Sequence, residues 1–549
     1  MKNSRSIKCL LSRTLLAAVL LTFSLSSCVT VFYPKKQKVT FNTGNKDSKV
    51  YVDKTEIGKG TTMVEKIEKN GVHQIVVKTP GYKDTYAAMV QCRHAIGYYI
   101  CIVLDIPFFY GCVVDQIQPK GSSYMTIYNL KSEDKLVYHT ATDKYIDISN
   151  IRLNITNKDK GINFYYMGYT DHLMQDIEAA EKKKDIKDNK EELAKLKKKN
   201  KKGQLDELED KEIKYDDTKF STNIYKTLKS TGFIDTVNKV FADNNNTLVL
   251  EGCINKVNVY GIYGRGGLGG YYYKSKVFLK WYIKNSYDEI LDSLDTKEFS
   301  GDFVINNSDK SSGTFEKMYG DAVDISYLKL QRDGKLSKYS KLESNFKIND
   351  ALLSLPAVKS VVSEKGDATY ASVIVKTKDG HGSGFAVTQD GYIITNYHVI
   401  AGRYVNKPNA CKVITSSGEE LEATIVRTNK YRDLALLKVK HNFEKAFKIT
   451  NVKSFKNLQD AYTIGAPKSI ELGQSFSSGV ISNERKSNNN NLLQLGMSVN
   501  GGNSGGPVFD AQGTLHGVIV SKLVGQNTEG VSFAIPGYLI QEYLNINYK

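Results

Sequence analysis

Three short motifs in the last third of the 549-residue chain carry residue types that can perform nucleophilic acyl transfer. His398 stands in T-N-Y-H-V, Asp433 in R-D-L-A-L-L, and Ser504 in G-N-S-G-G-P. A serine hydroxyl is a weak nucleophile at neutral pH, so it needs an adjacent base, and that base needs a carboxylate to orient it. The three residue types therefore predict a nucleophile, a general base and an orienting acid that the fold must bring together.

The elements that must position these residues are short strands, predicted from about residue 355 to residue 549. Apolar and β-branched segments recur there with turn residues between them, as an all-β barrel requires. Asp390-Gly391 between two of the segments is a hairpin turn signal. The segments suffice for two consecutive six-stranded barrels, the first holding His398 and Asp433 and the second holding Ser504.

The motifs around these residues also carry a family resemblance. G-S-G-F starts at Gly382, D-G-Y-I-I-T-N-Y-H-V covers residues 390–399, D-L-A-L-L-K-V starts at Asp433, and G-N-S-G-G-P-V starts at Gly502. Together they resemble the trypsin-fold (chymotrypsin clan) serine proteases of the HtrA/DegP-like type, over a little more than a third of the chain. The resemblance implies a serine endopeptidase. The other histidines show no metal-site spacing, so we assign no metal, and the chemistry requires no cofactor.

The resemblance further implies roles for residues around the serine. The backbone N–H groups of Gly502 and Ser504 are the expected oxyanion hole, and Gly501 next to Gly502 permits the tight turn that aims them. Ser498, six residues before the nucleophile, is expected at the base of the S1 pocket. A serine there offers no carboxylate for Lys or Arg, so we expect cleavage after uncharged, mainly apolar residues. His381 is interpreted as a turn residue.

HtrA-type proteases usually carry PDZ domains after the protease domain, whereas in this sequence the additional modules precede it. PDZ-based substrate capture and activation are therefore not carried over. Any regulation or targeting is expected to come from the N-terminal modules.

The N-terminus has the pattern of a secretory signal, with four basic residues before an apolar run at 15–25. Leu25-Ser26-Ser27-Cys28 resembles the bacterial lipobox, which predicts that residues 1–27 are a lipoprotein signal peptide and that Cys28 is lipidated. Val29 rather than aspartate follows Cys28, and by resemblance to enterobacterial lipoprotein sorting this implies the periplasmic face of the outer membrane. The alternative is an ordinary cleaved signal with an unrelated cysteine.

Charge and cysteine content narrow the class of protein. The formal net charge is +17, and loss of the four basic residues in 1–27 would leave +13. No RNA-binding motif or basic stripe interleaved with aromatic residues accompanies this charge, so nucleic acid is not an expected partner, and an anionic membrane surface accounts for it more simply. Seven cysteines without CxxC spacing predict neither a zinc site nor a disulfide framework.

Residues 28–90 read as a small β-domain. V-Y-V-D at 50–53, H-Q-I-V-V-K at 73–78 and the following Gly81-Tyr82 resemble the PEGA family, although Lys54 replaces a glycine of the first turn. Residues 91–120 form an apolar segment whose run at 95–114 reaches transmembrane length. Asp105 and Pro107 lie inside that run, so a buried β-hairpin or an interfacial segment explains it better than a transmembrane helix.

Residues 121–350 are predicted to be an α+β module. Its charged stretch at 171–217 is interpreted as a solvated helical arm or partly disordered segment, with a binding surface as the alternative. Helical spacing follows at 220–242, then long strands at 247–260 and 274–285. The glycine-rich residues 264–270 between the strands are interpreted as a mobile hairpin tip, because they lack the strand–loop–helix context of a phosphate loop.

The sequence thus predicts a multidomain, mainly β protein: a lipid-anchored serine endopeptidase of the bacterial cell envelope, acting on proteins or peptides. Two other functions remain open. One is a catalytically silent scaffold that binds peptides. The other is a latent sensor, whose oxyanion turn is misformed until the N-terminal domains bind a ligand.

Overall fold

The structure is a computed structural model that describes residues 35–91, 93–94, 122–156, 162–169, 172–184, 212–216, 218–235, 246–264, 271–304, 312–342, 350–405, 407–487, 490–520 and 531–549. The predicted signal at 1–27, Cys28, the apolar run at 95–114 and the glycine-rich 265–270 lie outside these residues. Within the described parts of the chain, no helix combines the length and apolar character needed to cross a bilayer.

The N-terminal region is built from short strands in three sheets, β4-β1-β9, β3-β2-β5-β6 and β7-β8. Alternate residues of β5 point inward, and its Ile75 and Val77 are fully buried against Val39, Phe41 and Val50. This confirms the small β-domain that the period-two pattern predicts. The strands are β1 (Lys36–Asn42), β2 (Lys49–Val52), β3 (Thr55–Lys59), β4 (Thr62–Glu68), β5 (His73–Lys78), β6 (Thr85–Met89), β7 (Arg93–His94), β8 (Ser122–Ser123) and β9 (Ile127–Asn129).

The turn between β2 and β3 keeps a glycine-like backbone although it contains no glycine. Asp53 and Lys54 have φ of +48° and +74°, the positive values that a tight two-residue hairpin requires. The Asp53 carboxylate holds this turn, because it accepts the Gln74 backbone N–H at 3.0 Å and lies 2.5 Å from His73 Nδ1. Hydrogen bonds from the neighbouring strand β5 therefore compensate for the glycine that is missing at Lys54.

The middle module is a seven-stranded sheet of order β12-β10-β13-β14-β15, with β11 paired to β13 and β16 to β14. Helices α2 and α3 pack on it, and Trp281 of β14, fully buried, donates to Ser326 Oγ of α3 at 2.8 Å. The long strands predicted at 247–260 and 274–285 correspond to β13 and β14. The elements are β10 (Tyr145–Thr156), β11 (Ile162–Gly168), α1 (173–184), β12 (Glu212–Asp216), α2 (Thr218–Thr231), β13 (Thr247–Tyr263), β14 (Tyr271–Lys284), β15 (Ile290–Phe299), β16 (Phe303–Val304), α3 (Ser312–Arg332) and α4 (Ser337–Ser340).

Two expectations for this module differ from the structure. The helix expected at 220–242 is α2, which ends at Thr231 because Gly232 adopts φ +82° and closes the helix in the left-handed conformation, and residues 236–242 lie outside the described residues. The charged stretch at 171–217 begins with α1, which is helical as expected but packs on the sheet through fully buried Ile177 and the Glu181–Lys276 ion pair at 2.8 Å, and its residues 185–211 lie outside the described residues. The same stretch ends in β12, a strand paired with β10.

The C-terminal region contains two closed six-stranded barrels, of strand order β18-β19-β20-β23-β22-β21 and β24-β25-β26-β29-β28-β27. This confirms the predicted double barrel. Phe447 joins the two cores, because its ring lies 5.5 Å from Phe385 of the first barrel and 5.3 Å from Phe509 of the second, centroid to centroid.

The elements of this region are β17 (Leu353–Leu355), α5 (Ala368–Ala371), β18 (Ser372–Thr377), β19 (Gly380–Ala386), β20 (Tyr392–Thr395), α6 (Tyr397–Ile400), β21 (Cys411–Ile414), β22 (Glu420–Asn429), β23 (Leu434–Lys438), β24 (Gln459–Gly465), β25 (Ser475–Ser487), β26 (Asn490–Leu495), β27 (Pro507–Phe509), β28 (Leu515–Val520), β29 (Ser532–Pro536), α7 (Ile540–Leu544) and β30 (Ile546–Tyr548). The parallel pair β17–β30 brings the two ends of the region together.

Polar contacts connect the three modules. Lys83 of the N-terminal domain forms a buried ion pair with Asp321 of α3, and Gln74 exchanges hydrogen bonds with the backbone of Asp302 and Val304. The tip of the β14–β15 hairpin contacts the first barrel, where Ile290 N–H donates to the Arg403 carbonyl at 2.8 Å. The middle module therefore contacts both of its neighbours along the chain.

Candidate active site

His398 and Asp433 are brought together by the pairing of β20 with β23. These strands are antiparallel with Thr395 opposite Ala435, so the residues that follow β20 and precede β23 lie at the same edge of the barrel. His398 Nδ1 lies 2.7 Å from Asp433 Oδ2, and the His398 backbone N–H donates to Asp433 Oδ1 at 2.9 Å. Because the carboxylate accepts at Nδ1, that nitrogen carries the proton and Nε2 presents its lone pair.

Asp433 reaches this position through an unusual backbone conformation. It follows the 3₁₀ turn Lys430–Arg432 and has φ of +52°, in the left-handed region that few side chains other than Asn and Asp adopt. Asn396 Nδ2 donates to the Asp433 carbonyl at 2.9 Å, which holds the residue from the other side. Asp433 is only 5% exposed, so its carboxylate interacts with His398 in a water-poor setting.

Ser504 lies on a turn between β26 and β27, at the boundary of the two barrels. Its carbonyl accepts the Ser383 N–H of β19 at 2.7 Å, and Gly505 N–H donates to Ile519 of β28 at 3.0 Å. A Cβ added to Gly382 would lie 2.5 Å from Val399 Cγ2 of α6 and 3.0 Å from the Ser504 carbonyl. The turn of Ser504 and the helix of His398 therefore approach each other directly across Gly382.

The peptide groups before Ser504 are held in a defined orientation. The Gly501 carbonyl accepts the Lys468 N–H at 2.7 Å, and Ser383 Oγ donates to the Gly502 carbonyl at 2.7 Å. In a trans peptide the carbonyl and the N–H point in opposite directions, so the Gly502 N–H faces away from Lys468. Gly502 itself has φ of +99°, a backbone value that favours glycine.

His381 is part of this arrangement, and its interpretation as a turn residue is wrong. It lies within β19, and its Nε2 is 2.9 Å from the Ala466 carbonyl and 2.9 Å from the position that a Cβ on Gly502 would take. Ser383 Oγ accepts the Ala466 N–H at 3.1 Å while it donates to Gly502. No motif in the sequence pointed to this role of His381, and only the place of Ser383 in G-S-G-F pointed to that of Ser383.

Ser498 lies between β26 and the turn of Ser504 and is exposed. The preceding residue, Met497, is buried, and its carbonyl accepts Ser532 Oγ at 3.0 Å. This bond fixes the backbone beside Ser498 against the strand β29. The side chain of Ser498 carries a neutral hydroxyl and no ionisable group, so this position contributes no charge.

A second contact of serine, histidine and aspartate lies elsewhere in the second barrel. Ser454 Oγ is 3.3 Å from His516 Nδ1, and His516 Nε2 is 3.1 Å from Asp510 Oδ2. His516 is buried, which lowers the pKa of its imidazole, and Asp510 accepts the backbone N–H groups of Gln512 and Thr514 in the β27–β28 turn. These contacts stabilise a turn, and Ser454 serves as an internal control for Ser504.

In the described part of the chain, no three His, Cys, Asp or Glu side chains gather in a group that could hold a metal ion. The side chains and backbone amides described above supply two functions at the site. A histidine held by a carboxylate can accept a proton at Nε2, and oriented amides can stabilise a developing oxyanion.

Comparison with known proteins identifies two regions. Residues 382–518 match the trypsin-like peptidase domain family, and residues 37–93 match the PEGA domain family. The C-terminal region thus carries a trypsin-like peptidase domain with HtrA/DegP-like relatives, and a PEGA domain lies near the N-terminus, which confirms both resemblances.

Relatives of the C-terminal region are named as proteases. The magnetosome formation protease MamE of Magnetospirillum gryphiswaldense is 31% identical over 193 residues, covering 33% of this chain and 24% of that protein. A probable periplasmic serine endoprotease DegP-like of Pseudomonas fulva is 35% identical over 164 residues, covering 28% and 32%. The mitochondrial serine protease HTRA2 of Drosophila virilis is 32% identical over 173 residues, covering 30% and 39%. The matched part spans about a quarter to two-fifths of the length of these relatives.

Replacement of Gly502 by alanine tests how tightly the turn is packed. The added Cβ would lie 2.2 Å from the Ala466 carbonyl and would sit on a residue with positive φ. We expect Gly502→Ala to lower the free energy of unfolding of the peptidase domain by about 1–3 kcal/mol. Gly501→Ala is the matched control, because nothing lies within 4 Å of its added Cβ. Thermal unfolding of both variants measures the difference, and equal stabilities would contradict the packing described for the turn.

Proposed function

We propose that the protein is a serine endopeptidase in which Ser504, His398 and Asp433 act as nucleophile, general base and orienting acid. The observation that supports this most strongly is the two-point contact of the Asp433 carboxylate with His398, at 2.7 Å and 2.9 Å. Ser504 Oγ attacks the scissile carbonyl, and His398 Nε2 takes its proton. The imidazolium then returns the proton to the leaving amine, and Asp433 stabilises the charge.

The oxyanion of the tetrahedral intermediate would bind the backbone N–H groups of Gly502 and Ser504. The orientation of the Gly501 carbonyl towards Lys468 supports this, since it leaves the Gly502 N–H on the opposite side of the peptide. One such donor typically contributes about 3 kcal/mol of transition-state stabilisation. A turn already held in this way argues for a competent enzyme over the latent sensor, in which the turn would be misformed.

The substrates would be proteins or peptides of the cell envelope. One relative of the peptidase domain is named as a probable periplasmic serine endoprotease, which supports this location. We place Ser498 at the base of the S1 pocket, where the absence of a carboxylate favours uncharged residues before the scissile bond. Lipidation at Cys28 would tether the enzyme to the membrane, with the outer membrane favoured by Val29.

Active-site labelling tests the assignment of the nucleophile. A fluorophosphonate should label the full chain, Ser504→Ala should abolish labelling, and Ser454→Ala should label at the wild-type rate, because Ser454 lies in a turn contact outside the proposed site. Labelling is read by in-gel fluorescence and located by peptide mass spectrometry. No labelling of a folded wild-type chain would support the catalytically silent scaffold instead.

Substitution of Ser498 tests the specificity assignment. Wild type should cleave peptides after uncharged residues, and Ser498→Asp should raise kcat/KM for peptides with Lys or Arg before the scissile bond by roughly tenfold, because it introduces a carboxylate. Rates are measured on a peptide library that varies only that residue. An unchanged profile in Ser498→Asp would remove Ser498 from the S1 pocket.

Replacement of the lipidation residue tests the anchor. Cys28→Ser should move the protein from the membrane fraction to the soluble fraction, because the variant lacks the residue that would carry the acyl chains. Stable anchoring takes more than one such chain. Metabolic labelling with a fatty acid, followed by fractionation, reports both acylation and location. Membrane retention of an unacylated Cys28→Ser protein would show that another part of the chain holds it there.

A further inference from the structure

The tip of the β14–β15 hairpin is a hydrogen-bonded loop that presents two side chains to the peptidase domain. Asn285 organises it: its Oδ1 accepts the backbone N–H groups of Tyr287 at 2.9 Å and Glu289 at 3.1 Å, and its Nδ2 donates to Glu289 Oε2 at 2.7 Å. Asp288 between them has φ of +63°. The positions of Tyr287 and Glu289 are therefore set by hydrogen bonds within the middle module itself.

Tyr287 contacts the element that carries Asp433. Its hydroxyl donates to the Lys430 carbonyl at 2.6 Å, and the same carbonyl accepts the Asp433 N–H at 3.4 Å. Tyr287 is 7% exposed and packs within the core of the first barrel. A side chain of the middle module thus stabilises the turn that holds Asp433 in its left-handed conformation.

Glu289 contacts the element that carries His398. It is fully buried and accepts the hydroxyl of Tyr397, the residue directly before His398, at 2.7 Å. Burial and the Glu289 carboxylate raise the pKa of Tyr397 well above its usual range, so its hydroxyl stays protonated as a donor. The rings of Tyr287 and Tyr397 also meet edge to face, with centroids 5.3 Å apart.

These contacts support the proposed catalytic pair from two sides. Tyr287 bonds to the turn that precedes Asp433, and Glu289 bonds to Tyr397, which precedes His398. The Asp433–His398 bond links the two supported elements. A buried carboxylate at a contact between modules is destabilising unless its hydrogen bonds are satisfied, and here Tyr397 and Asn285 satisfy them. Docking alone would be served by apolar residues, so the placement of these polar groups on the elements of His398 and Asp433 points to a role in orienting them.

We propose that residues 285–290 of the middle module are a positioning element for the His398–Asp433 pair, so that the modules preceding the peptidase domain set its catalytic rate. The inference rests on the proposed function. Tyr287 and Glu289 act through Lys430 and Tyr397 and do not touch the substrate. Displacement of reacting groups by about 1 Å can lower a rate by roughly 100-fold, so loss of this support should reduce kcat.

The test uses the full chain, with two near-isosteric variants and one truncation at the hairpin tip. Tyr287→Phe removes one hydroxyl, Glu289→Ala removes the acceptor for Tyr397, and Glu289→Gln retains an acceptor oxygen. We expect Tyr287→Phe and Glu289→Ala to lower kcat and the fluorophosphonate labelling rate by about tenfold, with KM changed by less than about twofold. Glu289→Gln should recover most of the rate. Tyr282→Phe is the control, because Tyr282 lies on the same hairpin in β14 away from the tip.

A second readout separates this inference from the proposed function. The ¹H resonance of the His398 Nδ1–H proton, which bonds to Asp433, is followed by NMR of histidine-labelled chain and should move in Tyr287→Phe and Glu289→Ala but not in Tyr282→Phe. A moved resonance in a chain that never labels at Ser504 would keep the positioning role and reject the endopeptidase. Folded variants with wild-type rates and an unchanged His398 resonance would overturn the positioning role.

Discussion

The proposed active site depends on the Asp433 carboxylate, which binds His398 at two points. Asp433 engages both the ring and the backbone N–H of His398, so the position of the imidazole is fixed together with its tautomer. To place Asp433 there, the chain makes a 3₁₀ turn after β22, and Asp433 then adopts φ of +52° directly before β23 begins. The strand pairing, the Asn396 bond and the hairpin tip of the middle module all act on this small region.

The second constraint is space around the serine turn. Gly502 and Gly505 have positive φ, and a Cβ on either would lie 2.2 Å from a carbonyl oxygen, that of Ala466 or of Ser383. These carbonyls belong to strands or loops of both barrels, so the turn is shaped by their close approach. The G-x-S-G-G pattern is therefore explained by packing and backbone conformation as well as by the chemistry of Ser504.

The parts of the structure that depend on local pattern could be predicted. Period-two alternation and turn residues predicted both barrels and the small β-domain, and the motif order placed His398 and Asp433 in the first barrel and Ser504 in the second. Contacts between residues far apart in sequence could not be predicted. His381 with Ala466, Ser383 with Gly502, and Tyr397 with Glu289 join elements about 85 to 119 residues apart, and no local pattern reports such contacts.

Other differences have equally physical causes. Helical spacing continued past Gly232, but its left-handed backbone ended α2. The charge of the stretch that includes Glu181 suggested a solvated arm, yet an ion pair with Lys276 lets α1 pack on the sheet. At Lys54 the missing glycine suggested an altered turn, and hydrogen bonds to Asp53 preserved it. In each case a tertiary contact or a backbone conformation outweighed the structural preference of the local sequence.

The central claim is that the His–Asp pair and the oxyanion turn are assembled around Ser504 in the full chain. A crystal structure after reaction with a peptidyl phosphonate ester tests it most directly. We expect phosphorus bonded to Ser504 Oγ, the phosphonyl oxygen about 3 Å from the N–H groups of Gly502 and Ser504, and the His398–Asp433 contact retained. An unmodified Ser504, or a Gly501 carbonyl turned towards the serine, would contradict the account.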